Sequence, residues 1–239
     1  MLSVLKREMR QYFHTPIGYV FVTIFWLLGA VFFFLYNILS GTSDLGEMFG
    51  NLSYLFMLIV PLLTMRLLSA ERRQKTDQLM YCTPTPLAAV VLGKFCAALC
   101  VVLVALAGTG IYLAVLARYA TLQPGMITAY YVGFFLLCAS YISIGVLMSA
   151  LTESQITAAV LTFAANMLLQ LAEMAAPTLH VPYMPFLPAL LGALTLNTHY
   201  SQIASGVIRP VDVGYFLLFI TVALSLTVYC LRRRQLSGR

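Results

Sequence analysis

IGYVFVTIFWLLGAVFFFLYNIL, residues 17–39, carries no charged side chain over a length that matches a bilayer. A hydrocarbon core of about 30 Å needs roughly 20 predominantly apolar residues in a helix. Backbone inside lipid has to satisfy its own hydrogen bonds, which leaves only helices and closed barrels. A run this long and continuous reads as a helix, because a barrel strand would alternate in polarity over roughly 10 residues. Working outward, comparable runs recur at residues 52–68, 95–117, 126–151, 156–176 and 213–231. The expected fold is all-α, with six transmembrane helices in a single domain over residues 1–239 and no soluble domain. Composition agrees, since the chain is 61% hydrophobic and 9% charged where a soluble domain usually carries about 25% charged residues.

The cations orient these spans. Of the 14 Lys and Arg residues, only Arg118 and Arg209 fall on one side of the implied membrane. Lys6, Arg7 and Arg10 precede the first span, and Arg66, Arg72, Arg73, Lys75 and Lys94 lie between the second and third. Arg232, Arg233, Arg234 and Arg239 follow the sixth. Basic residues in short loops stay cytoplasmic, so both termini are expected in the cytoplasm of a cell with the chain in its inner membrane. The net charge of +6 then marks topology; a nucleic-acid patch is disfavoured because the charges sit beside span ends.

The N-terminal apolar run is too long for a signal-peptide core and no small-residue cleavage pattern follows it. Cys82, Cys96, Cys100, Cys138 and Cys230 lie in or beside the spans without a C-x-x-C pair, as reduced packing residues would. His14, His180 and His199 show no ligand spacing, so no metal site is expected. Within residues 1–16, Leu2, Leu5, Met9, Tyr12 and Phe13 recur at helical spacing opposite Lys6, Arg7, Arg10 and His14. That is an amphipathic helix lying in the membrane interface, ended near Pro16.

The outer connections differ in character. Residues 40–50 read as short and flexible, and Gln123-Pro124-Gly125 as a tight turn. Residues 177–212 are long, apolar and interrupted by Pro177, Pro182, Pro185, Pro188 and Pro210. A piece such as 189–196 is too short to span. A re-entrant element buried by other helices and a folded external cap both fit.

The segment from Arg66 to Lys94 is the main cytoplasmic connection. Pro61 can kink the span before it, and Arg66 sits near that span's end, placed to snorkel or to meet an acid. Ser69 is positioned to cap a short helix running through Glu71 to about Tyr81, and Pro84 and Pro86 stop it. A short polar helix held between two spans is a lever; a solvated basic loop is the alternative.

Here the sequence resembles a known family. Arg66, Glu71-Arg72-Arg73-Gln74-Lys75-Thr76-Asp77-Gln78-Leu79, Thr83-Pro84 and Leu92-Gly93-Lys94-Phe95 resemble the first cytoplasmic loop of ABC-2-type transporter permeases, and most of all the gliding-motility-type subgroup. Ser205-Gly206-Val207-Ile208, Asp212, Tyr215-Phe216 and Arg232-Arg233 match near the end of the chain, and Leu5-Lys6-Arg7-Glu8, Tyr12-Phe13 and Pro16-Ile17-Gly18-Tyr19 near its start. One departure is that the wider family often has Gly-Thr-x-Glu where this chain has Lys75-Thr76-Asp77-Gln78. The resemblance implies a non-catalytic permease subunit of an ATP-driven exporter. It implies two separate ABC ATPase subunits that hold the ATP and Mg, docked on Glu71, Arg72, Arg73, Gln74, Lys75, Thr76, Asp77 and Gln78. It also implies a second permease copy or a related membrane subunit, and suggests a co-assembling membrane protein with a large external domain. The chain lacks a G-x-x-x-x-G-K-[ST] loop, since Ala88 stands where the first glycine before Gly93-Lys94 would be. A different reading of the same dock is a non-transporting scaffold that passes ATPase force to an envelope complex. A secondary transporter would need more buried acids than Glu173 and an inverted repeat.

The fifth span carries Thr162, Asn166, Gln170 and Glu173, spaced so that they share one helix face. Polar groups in a span turn away from lipid. They read either as a translocation path at a subunit interface or as hydrogen-bond glue between helices. The lack of charges along the spans gives slight support to an apolar or lipidic cargo.

Overall fold

The computed structural model describes residues 2–73, 86–119, 123–175 and 195–237, and among these every regular element is helical. In chain order the elements are α1 (Leu2–His14), α2 (Pro16–Phe33), α3 (Gly46–Thr64), α4 (Ser69–Arg73), α5 (Leu87–Leu116), α6 (Pro124–Leu151), α7 (Gln155–Ala175), α8 (Leu196–Ala204) and α9 (Pro210–Ser237). Among the described residues, six helical runs are long and apolar enough to cross a membrane: Pro16–Leu39, Gly46–Arg73, Leu87–Leu116, Pro124–Leu151, Gln155–Met174 and Pro210–Gln235. The chain is thus built as a multi-pass helical membrane protein.

Two spans form the inside of the bundle and the others surround them. Of the most apolar window of each helix, 67% is buried in the α3 span and 72% in α6, against 17% in α7 and 22% in α9. Phe21 and Phe25 of α2, Phe49 and Phe56 of α3 and Phe134 of α6 meet at centroid separations of 5.4–6.1 Å, with Phe25, Phe49 and Phe56 each touching Phe134. Tilted and edge-to-face pairs of this kind add to their area burial. α6 comes close to α3 through Gly145, where an added Cβ would run into the side chain of Thr64. On α5, Gly108 leaves room for the ring of Trp26, whose Nε1–H donates to the Ala105 carbonyl at 2.8 Å.

Outward faces stay apolar. Val20, Leu27 and Val31 of α2, Ile156, Val160 and Leu168 of α7, and Leu217, Leu218 and Val222 of α9 are all largely exposed. A soluble monomer rarely shows apolar surface this continuous, and hydrocarbon accounts for it.

Several boundaries differ from the sequence expectation. α3 begins at Gly46, so residues 46–50 belong to a helix and not to a loop. Asn37 Nδ2–H bonds the carbonyls of Thr42 (3.0 Å) and Asp44 (2.8 Å), and Asp44 Oδ1 accepts from Tyr130 Oη (2.7 Å) and Gly46 N–H (2.9 Å). The connection expected to be flexible is therefore tied to α6. α2 loosens into a π-helical turn over Phe34–Leu39 before it. α5 begins at Leu87, directly after Pro86, which moves Lys94 from the end of a loop to the second turn of a span. The long connection after α7 contains a nine-residue helix, α8, packed on α6, α7 and α9. The reading of residues 189–196 as re-entrant falls mostly outside the described residues.

Candidate functional site

α4 is the continuation of α3 past a turn at Met65–Leu68, and it starts without a cap of its own. The sequence places Ser69 as the cap, but Ser69 Oγ–H bonds back to the Met65 carbonyl, a local bond that competes with capping. The cap comes from α6. Ser149 Oγ accepts the Leu68 and Ser69 backbone N–H groups at 3.0 and 3.1 Å, which satisfies amides that the helix start leaves unpaired. Ser149 lies 80 residues from Ser69 in sequence, so no local pattern predicts it.

Four charges then join α4 to α1 and α5. Lys94 is 1% exposed, and its Nζ lies 3.0 Å from Glu8 Oε1 and 3.0 Å from Glu71 Oε1. Arg7 places Nη2 at 2.8 Å from Glu71 Oε1 and 3.1 Å from Glu8 Oε1. Two carboxylates and two cations neutralise one another, which is the condition under which charges tolerate burial. Partial burial works against the Arg7 cation, but Glu8 and Glu71 outweigh it and hold its pKa above the ordinary value. Next to this cluster, Tyr12 Oη donates to the Leu63 carbonyl of α3 at 2.8 Å. Burial first, and Glu8 second, push the Tyr12 hydroxyl's pKa well up against the opposing pull of Arg66, so it remains a neutral donor. The bend between α1 and α2 depends on Gly18, since a Cβ there would sit 2.6 Å from the Tyr12 carbonyl oxygen.

On its other side α4 is joined to the end of α6. Arg72 donates to the Ala150 carbonyl at 3.1 Å and to Glu153 Oε1 at 2.9 Å. Arg234 of α9 donates to the Leu151 carbonyl at 2.8 Å. The last carbonyls of a helix lack intrahelical partners and carry its negative pole, so two arginines complete α6. These contacts also bring the two ends of the chain to one end of the bundle, together with most of the basic residues.

Of the residues singled out in the sequence, the structure brings Glu71 and Arg72 into these joints. Arg73 is exposed and forms no ion pair among the described residues. Gln74, Lys75, Thr76, Asp77 and Gln78 lie outside the described residues, as does any helix continuing to Tyr81. Arg7, Glu8, Lys94, Ser149, Glu153 and Arg234 were missed as members of the site. Glu8 had a legible signal: it is an acid one turn before Tyr12 on the face that also carries Leu5. Lys94, a lone cation in the apolar start of a span, had one too.

The polar face of α7 turns into the chain. Thr162 and Asn166 are wholly buried, and Thr162 Oγ1–H donates to the Ala158 carbonyl at 2.7 Å. Both polar atoms of the Asn166 side chain lack a partner among the described residues. Gln170 Oε1 accepts from Asn197 Nδ2, and Glu173 Oε1 accepts from Thr198 Oγ1 at 3.2 Å. The last two therefore tie α7 to α8. Nearby, His199 Nδ1 lies 2.7 Å from Asp212 Oδ1, and its ring stacks on Tyr215 at 4.1 Å. Among the described residues no three His, Cys, Asp or Glu side chains group as metal ligands.

Among the described residues, the basic-end cluster is made of ion pairs and helix-end hydrogen bonds. What it offers is a mechanical joint, in which one short helix is bonded to α1, α5, α6 and the α6–α7 turn. No family model matches the chain, and no curated protein matches it.

Proposed function

We propose that this chain is the transmembrane permease subunit of an ATP-driven exporter resembling the ABC-2 type. It moves substrate as a pair of such subunits while separate ATPases hydrolyse ATP. The carrying observation is that α4 extends a central span, α3, and is bonded through Glu71, Arg72 and the Ser149 cap to three other spanning or interfacial helices. A push on α4, or on the segment from Gln74 to Gln78 that follows it, moves α1, α3, α5 and α6 together. Conformational change in packed bundles travels through such rigid bonded elements. Arg73, exposed at the end of α4, is the described residue best placed to face an ATPase. Both chain ends and the dock lie in the cytoplasm in this reading, by the distribution of basic residues.

The test is purification of the full chain from its native membrane, with assay of bound ATPase, ATP turnover in lipid and cargo efflux from vesicles. Arg73→Glu reverses an exposed charge at the dock without touching a described contact, and it should lower both ATPase retention and turnover while the chain still inserts. Full retention and turnover would refute the dock. Turnover without movement of any cargo would favour the mechanical scaffold over the exporter.

A further inference from the structure

We propose that the angle between α1 and α3 is a binding site for one anionic phospholipid, with Arg66 as its phosphate anchor. The inference stands whether or not the chain serves an ATPase. A shallow groove there is lined by Glu8, Gln11, Tyr12, Thr15, Ile17, Arg66 and Leu67. Arg66 is only partly exposed, yet among the described residues it makes no hydrogen bond or ion pair. Among the described residues, the other cations drawn into the body of this end, Arg72, Lys94 and Arg234, each have a carboxylate or a carbonyl. A half-buried guanidinium with five donors and no acceptor calls for an anion.

The groove's own groups say which anion. Glu8, its one acid, is taken by Lys94 and Arg7. The Tyr12 hydroxyl is committed to the Leu63 carbonyl and the Thr15 hydroxyl to the Gln11 carbonyl. The remaining donors facing the groove are Arg66 and the exposed Gln11 amide, a pair suited to phosphate oxygens. The interior is too narrow for a headgroup, so the phosphate rests at the mouth. From there the apolar stripe of α2 leads away: Val20 is 44%, Ile24 37%, Leu27 60% and Val31 46% exposed. Their spacing puts them on one helix face, and this face accepts acyl chains. A free phosphate would have no use for it. The exposed cations of α1, Lys6 and Arg10, repel a choline group and favour a headgroup of net negative charge.

The test uses the full chain in nanodiscs and measures retained phosphatidylglycerol and phosphatidylcholine by native mass spectrometry, with inorganic phosphate as competitor. The parent should retain one phosphatidylglycerol at least about tenfold more tightly than phosphatidylcholine, the scale of one charge-assisted hydrogen bond, and millimolar phosphate should not displace it. Arg66→Gln should remove that preference, while Arg118→Gln, an exposed change just past the far end of α5 and outside the groove, should keep it. Equal retention of both lipids by the parent would overturn the proposal, as would undiminished preference in Arg66→Gln. Full displacement by inorganic phosphate would also overturn it, in favour of a free-anion site. If Arg66→Gln fails to insert, Gln11→Leu at an exposed position carries the test: a several-fold loss of phosphatidylglycerol retention supports the site and unchanged retention refutes it.

Discussion

Replacing Lys94 with Met tests whether the basic-end joint holds the fold together. The substitution keeps an unbranched side chain out to Cε and deletes the charged ammonium from a position 1% exposed. Two carboxylates at 3.0 Å from Nζ lose their cation. At an effective dielectric of about 20, each such contact is worth roughly 5–6 kcal/mol before desolvation is subtracted. Desolvation cancels much of this, and removal of one partner from a buried ion network costs about 3–5 kcal/mol net. Arg7 still contacts both acids, but its side chain is 59% exposed and solvent weakens its hold. For a chain of this size about 1 kcal/mol shifts Tm by roughly 2–4 °C, so Lys94→Met should lower Tm by roughly 6–20 °C in thermal unfolding of the reconstituted chain. Adding Glu8→Gln should recover part of that loss, because the double variant leaves one fewer buried charge unpaired. A single variant within about 2 °C of the parent would refute the reasoning, as would a double variant whose losses simply add.

Other expectations are simpler to state. Gly108→Ala pushes a Cβ into the ring of Trp26, the chain's one tryptophan; overpacking of this kind costs about 1–3 kcal/mol, and a shift in tryptophan emission should accompany the fall in Tm. Asn166→Leu removes two buried polar atoms that have no partner among the described residues, so stability should hold or rise by about 1–3 kcal/mol; unchanged transport alongside would show that the residue takes no part in the cycle, whereas lost transport with retained stability would give it one. In a chain with its native cysteines replaced, a Cys at the exposed Gln202 should react with an impermeant reagent from outside and one at Gln74 should not; the reverse pattern would end the topology.

Fold class was legible in the sequence because it follows from a local quantity. A bilayer needs a fixed length of apolar residues, and residues 17–39 alone supply it. The uneven distribution of cations is likewise a count along the chain. The amphipathic face of α1 and the shared face of Thr162, Asn166, Gln170 and Glu173 follow from helical periodicity. What composition left open was which helices lie inside, because apolar residues face lipid and core alike. Packing decided that, putting Gly145 of α6 against Thr64 of α3 and leaving α7 and α9 outermost. It decided as well that Ser149 caps α4 in place of Ser69, and that Glu8, Glu71 and Lys94 converge. A charged side chain taken one at a time reads as solvated or snorkelling. Its meaning changes only when a partner more than 60 positions away, such as Glu71 for Arg7, arrives within hydrogen-bond distance, and that arrival is a property of the folded bundle.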